Sequence, residues 1–247
     1  MTTLAALATP SPRNACARSG GPSYCDACKV RPLAVCAALE AGELHELDAI
    51  VHQGRVAAKE TFIHQGEDAT SVFSVVEGTV RLYKLLSDGR RQIVGFAMPG
   101  DFLGLALHNR YGFSADAVDA VALCKFDRAE FDRLVSAKPH FLRRLHEFAT
   151  HELVIAQEQM TLIGRRSAEE RIAAFLLMMR DRWARISGAS VTVQLPMQRL
   201  DIADYLGLTI ETVSRTLTRL ARDRVILIVP EAVRILDEGR LAQLARG

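Results

Sequence analysis

The stretch Asp201–Arg215, DIADYLGLTIETVSR, decides the fold of this chain. Ile202, Ala203 and Leu206 give a first short helix one apolar face. Gly207 closes it, because glycine adopts the left-handed conformation a helix end requires. Thr209 can cap a second helix with its hydroxyl. In that helix Ile210, Val213, Leu217 and Leu220 recur at three- and four-residue steps, the spacing of a packed face. Glu211, Ser214, Arg215 and Thr218 form a second stripe. Placed near the helix N-terminus, that stripe suits a recognition helix in the DNA major groove. Arg215 can pair bidentately with guanine, Glu211 can accept from the cytosine amino group, and Ser214 can reach a base or a phosphate. Thr209 and Thr218 complete the expected DNA-binding set.

Outward from this point the chain keeps to one plan. RDRVILIVP, after the second helix, predicts a turn into a small wing hairpin. From Arg165 to the end the chain has 14 Arg, no Lys and 10 acidic residues, a net charge of +4, against +2 for all 247 residues. Arginine suits fork-like recognition of phosphates and base edges, although a genome that favours Arg gives the same count. Upstream, ISGAS predicts a loop, VTVQL a strand and Ala168–Arg182 a helix. Residues 138–164 predict one long helix. Leu142, Leu145, Ala149, Glu152, Ala156, Gln159 and Ile163 alternate at three- and four-residue steps there, a coiled-coil seam. With two polar and two small members it is a weak seam, and an amphipathic helix lying on its own domain shares the pattern.

Between Lys59 and Asp127 the texture is different. Gly66, Gly78, Gly89 and Gly100 fall 12, 11 and 11 residues apart, with SVFSVVE, TVRLYKLL and RQIVGFAM between them. Strands with a turn signal every 8–12 residues predict a β-sandwich or barrel, and SDGR at Ser87–Arg90 predicts a hairpin turn. Gly42–His52 suggests a short helix, and residues 1–24, rich in Ala, Thr, Ser, Pro and Gly, a flexible segment.

Five cysteines remain. Cys25, Cys28 and Cys36 cluster near the N-terminus, Cys124 lies in ALCKFDR, and Cys16 is the spare. No secretory signal is visible and no apolar run reaches membrane-span length, so the expected location is the cytoplasm with no membrane partner. There, clustered cysteines point to metal or redox chemistry before disulfides. Metal oxygenase chemistry on a β-roll needs grouped His and carboxylate ligands. His64 and His108 stand alone, so no enzyme is expected.

In this order of parts the sequence resembles the Crp–Fnr superfamily of bacterial transcription regulators. The likeness rests on the glycine-spaced strands, the long helix, SAEERIAAFL at Ser167–Leu176, and Glu211, Ser214 and Arg215 in the readout helix. It implies an α+β fold: a cyclic-nucleotide-binding-like β-roll (a jelly roll), a dimerisation helix and a winged helix-turn-helix. The corresponding domains are 1–24 as the flexible segment, 25–137 as cysteine cluster and sensor, 138–164 as dimerisation helix and 165–247 as DNA-binding domain. It further implies a homodimer on a double-stranded palindrome with TTGAT-like half-sites, and contact with RNA polymerase as an activator. Cyclic-nucleotide members carry a phosphate-gripping Arg-Ser pair, but here Ser114 follows Phe113 and Arg110 is off pattern, which argues against a cyclic nucleotide. Fnr-type members hold a [4Fe–4S] cluster on four thiolates, which the resemblance places on Cys25, Cys28, Cys36 and Cys124. The implied function is an oxygen-responsive regulator of anaerobic or microaerobic genes. Thiol oxidation, haem or nitric oxide sensing, and a structural zinc on the same cysteines remain the alternatives.

Overall fold

The computed structural model describes residues 24–105, 109–165 and 167–246. The expected segment 1–24 except for Tyr24, together with Cys16 and His108, lies outside them.

Eight antiparallel strands build the region expected to be the sensor, called the sensor for its place in the chain: β1 (Val51–Val56), β2 (Thr61–Ile63), β3 (Ser71–Glu77), β4 (Val80–Leu85), β5 (Arg91–Ala97), β6 (Phe102–Leu103), β7 (Ser114–Ala117) and β8 (Val121–Asp127). They form two four-stranded sheets, ordered β1-β8-β3-β6 and β2-β7-β4-β5. Alternation along each strand assigns its two faces. Phe73 and Val75 of β3 and Val121 and Leu123 of β8 fill the space between the sheets. The intervening positions Val72, Cys124 and Phe126 look outward into a second core. β3 is therefore buried on both faces, which is why SVFSVVE carries so few polar residues. The expected SDGR hairpin is present, but Leu86–Arg90 form a five-residue connection between β4 and β5.

The outer face of the β1-containing sheet is covered by helices. α1 (Leu44–Ile50), α2 (Arg128–Ser136) and the long α3 (Pro139–Arg165) pack there, and Phe131 and Phe141 are fully buried beneath them. The sequence reading passes over α2, whose start is capped by Asp127 accepting from the Glu130 N–H at 3.1 Å.

The C-terminal region holds α4 (Ala168–Ser187), β9 (Thr192–Gln194), α5 (Arg199–Leu206), α6 (Ile210–Arg222), β10 (Ile226–Val229), β11 (Ala232–Ile235) and α7 (Glu238–Arg246). Ser167 and Glu170 form a reciprocal capping box at the start of α4. That helix runs five residues beyond its expected end at Arg182. Gly207 ends α5 at φ 63°, as the sequence requires, and Thr209 caps α6 by accepting from the Thr212 N–H at 3.2 Å. The three short strands form the wing, in the order β10-β11-β9. Ile93, Phe96 and Met98 of the sensor share one core with Phe175, Leu176 and Tyr205. Sensor and DNA-reading end are thus packed together rather than tethered.

Candidate regulatory and nucleic-acid interfaces

The four candidate metal-ligating cysteines meet at one place. Cys124 is on β8, paired with Ser74 of β3 and Gln53 of β1. Its side chain points to the sheet's outer face, where Cys25, Cys28 and Cys36 arrive from the N-terminal segment to line the same small cavity. Cys25 and Cys28 sit in the turns at residues 24–30, and the longer gap to Cys36 is folded into two 3-10 turns, Arg31–Leu33 and Val35–Ala38. Pro32 stands in the first turn of that pair, and the Arg31 guanidinium closes the segment by donating to the Leu39 carbonyl at 3.0 Å. A close approach seats it: a Cβ added at Gly100, whose φ is +97°, would stand 2.7 Å from the Leu33 Cβ.

All four cysteines are free thiols, with Cys25 and Cys124 buried. Burial, reinforced by the neighbouring sulfurs, pushes Cys36 up to about 11 and Cys124 up to about 12. Cys25 is pushed up by burial and by the Asp48 carboxylate. Several thiolates cannot share this apolar site without a compensating cation, which is what a metal group supplies. The cavity between them is about 20 Å³, room for one water-sized sphere. Among the described residues no three His, Cys, Asp or Glu side chains stand close enough together to hold a metal as placed. Four thiols in apolar walls are donors of the type a metal group takes, but they do not stand at ligating distance from a common point in this structure.

The reading helix matches its expected faces with two changes. Val213, Leu217 and Leu220 are buried, but Thr216 joins them while Ile210 is 39% exposed. Glu211 and Arg215 face solvent. Interactions with its own backbone N–H, the Thr209 hydroxyl and the Arg215 charge hold the Glu211 carboxyl below the usual range. The Thr218 hydroxyl donates to the Ser214 carbonyl at 2.9 Å, so it serves its own helix. Arg199, which the sequence reading passes over, donates to the Ser214 Oγ at 3.2 Å and adds a cation beside the reading stripe.

The expected seam on α3 is exposed in part in the single chain. Leu142 and Ala149 are exposed, as a seam requires, and so is Ala156, which also borders a cleft toward the sensor. Leu145 instead packs on the sensor core beside Phe148. Glu152 is exposed as well, and borders a cavity of about 200 Å³ together with Asp101 and Arg182. The Gln159 side-chain amide donates to the Tyr205 carbonyl at 3.3 Å. The exposed apolar stripe runs through Leu142, Ala149, Leu153 and Met160, and the last two are 57% and 66% exposed. Leu153 and Met160 each stand one position beyond the expected Glu152 and Gln159, and Gln159 is the one turned toward its own chain. Ile163 lies in α3, but its side chain is outside the described set.

Arg110, the off-pattern arginine, is on the surface, donating to the Gly66 carbonyl at 2.8 Å and paired loosely with Asp68. No described helix is long and apolar enough to cross a membrane.

Comparison with known proteins agrees with this architecture. Residues 53–138 match the family described as cyclic nucleotide-binding domain, and residues 170–244 the Crp-like helix-turn-helix domain. The chain is 55% identical over 218 residues to the transcriptional activatory protein AadR of Rhodopseudomonas palustris, covering 88% of this chain and 91% of that protein. It is 51% identical over 222 residues to the nitrogen fixation regulation protein FixK of Bradyrhizobium diazoefficiens, covering 90% and 94%. The solved structure of FixK2 from Bradyrhizobium japonicum superposes with a TM-score of 0.73 at 35% identity, covering 79% of this chain and 97% of that one.

Proposed function

Because the chain belongs to the Crp–Fnr superfamily of transcription regulators, we propose that it is an oxygen-responsive activator of anaerobic or microaerobic genes, sensing through a [4Fe–4S] cluster. It is a DNA-binding regulator and not an enzyme. In this reading it acts in the cytoplasm as a homodimer on a TTGAT-like palindrome and contacts RNA polymerase there.

The observation that carries the sensing half is the convergence of Cys25, Cys28, Cys36 and Cys124 on one apolar cavity. These four thiolates would hold the cluster, which supplies an oxygen-labile cross-link between the N-terminal segment and β8. The chain's own residues carry the consequence. Cys25 is fixed by its backbone N–H to Asp48 at 3.3 Å, and Leu33 lies against Gly100. The turn at 98–101 continues to the DNA-reading end, since Asp101 is ion-paired with Arg182 of α4. A change in how the N-terminal segment sits therefore reaches α4 through one turn. Direct thiol oxidation fits less well, because the reactive form is the thiolate and burial keeps Cys36 and Cys124 protonated at neutral pH.

One observation favours a second reading: the cavity is small, and a single zinc needs less space than a cluster. Zinc on the same thiolates is structural, and DNA binding is then indifferent to oxygen.

The test is fluorescence anisotropy with a duplex carrying the palindrome, using protein prepared without oxygen and the same protein after air. Affinity should fall in air, and Cys124→Ser should bind weakly even without oxygen. Equal affinity in both conditions would contradict oxygen sensing.

A further inference from the structure

One buried carboxylate fastens the first helix of the DNA-reading end to the sensor. Asp201 lies in the first turn of α5 with its side chain 5% exposed. Its Oδ2 accepts the Gln198 N–H at 3.1 Å and so closes the helix start. Its Oδ1 accepts from Arg81 Nη1 on β4 at 2.5 Å and from Arg91 Nη2 on β5 at 3.0 Å. Arg81 is itself held by a two-pronged bond to Asp116 of β7, at 2.9 and 2.6 Å. Arg91 also reaches Asp204 at 3.3 Å, and the Gln92 side chain donates to the Asp204 carbonyl at 2.6 Å. The β4–β5 hairpin therefore grips both ends of a short helix whose next neighbour in sequence is α6.

The surrounding contacts explain why this grip sets direction. Phe96 of the sensor meets Tyr205 of α5 with ring centroids 5.5 Å apart, and such apolar contacts hold two bodies together without fixing an angle. A planar guanidinium locked on two carboxylates does fix one. Buried ion pairs add little net stability over apolar packing, and their best-attested use is to specify register. From α5 the constraint passes to the reading helix through the core that Ile202 and Leu206 share with Val213 and Leu217.

We propose that Asp201 is a positioning residue: through Arg81 and Arg91 it sets the angle of α6 on the sensor, and with it the separation of the two reading helices in the dimer. The proposal rests on the homodimer-on-palindrome reading given above. It makes half-site spacing, rather than base sequence, the property this network controls.

The experiment measures affinity for palindromes whose half-sites are moved apart or together by one and two base pairs. Half-sites one helical turn apart set the reference. The variants are Asp201→Asn, which keeps an acceptor for the Gln198 N–H, and Arg81→Gln, which leaves the helix cap untouched. Each should bind the optimal spacing about tenfold more weakly and the shifted spacings almost unchanged, and the double variant should be no worse than the worse single one. A role in stability alone lowers affinity at every spacing alike. That result, or variants that keep the wild-type spacing preference, or variants that bind the optimum more tightly, would overturn the proposal. If Asp201→Asn does not fold, Arg81→Gln and Arg91→Gln decide the matter. A wild-type chain that binds a single half-site as well as a pair would instead overturn the dimer reading, and this proposal with it.

Discussion

Tyr24 and Cys124 line one small cavity, joining the N-terminal segment to the middle of β8. Burial of the tyrosine, with the sulfurs around it, pushes its hydroxyl up to about 12, so it stays a donor at neutral pH. Tyr24→Phe removes the donor and keeps the ring. The expected cost is about 1 kcal/mol of docking free energy for the segment, seen as roughly fivefold faster amide hydrogen exchange across residues 24–38. Unchanged exchange would show that the packing alone holds the segment.

The outward stripe on α3 predicts where a second copy docks. Leu153 is exposed in the single chain, so Leu153→Glu should change the stability of the isolated fold by no more than about 0.5 kcal/mol. In the dimer it sets two carboxylates against each other. Sedimentation should then show a monomer at concentrations where the wild type is a dimer. Gln159→Leu serves as contrast, since Gln159 faces Tyr205 of its own chain and its loss should leave the mass unchanged.

The junction of α1 with α3 should be acid-sensitive. Glu43 takes the Glu40 N–H and faces His140 and Lys138, and these hold its carboxyl down to about 2. A depressed carboxylate stabilises the folded state above its unfolded value, and that contribution is lost as pH falls toward the folded one. The melting temperature should therefore drop between about pH 4.5 and pH 2. Glu43→Gln should flatten that part of the profile, while an unchanged profile would remove Glu43 from the account.

Reading and phosphate contacts should separate by their sequence dependence. Arg215→Ala should cost about 1–3 kcal/mol on the preferred site and relax the preference at one base pair. Arg199→Ala should weaken binding on specific and unrelated DNA alike and lower the salt dependence. Competition against base-substituted duplexes at two salt concentrations distinguishes the two patterns.

What the sequence discloses and what it hides follow from range. Gly207, Thr209 and the stripe Val213–Leu217–Leu220 are local signals, set by spacing within one helix and its turn, and the structure places them as read. Cys124 joins the set only through the family resemblance, since nothing in its own strand pattern marks it. The stripe through Leu153 and Met160 was hidden: a period between three and four residues fits two adjacent stripes, and only the packing of Leu145 and Phe148 on the core beneath α3 and the bond from Gln159 to Tyr205 choose between them. The Arg81–Asp201 pair spans 120 residues, and no local pattern marks either partner as more than an ordinary surface charge. Arg199 was hidden for the same reason, since its contact to Ser214 exists only once α5 and α6 have folded against each other.

The most direct measurement is iron and acid-labile sulfide per chain, with a visible spectrum, on protein purified without oxygen and again after air. The account predicts a brown protein with about four irons per chain that bleaches in air and loses colour in Cys25→Ser, Cys28→Ser, Cys36→Ser and Cys124→Ser. A colourless protein without iron, holding zinc or no metal and binding its palindrome equally well in air, would contradict it.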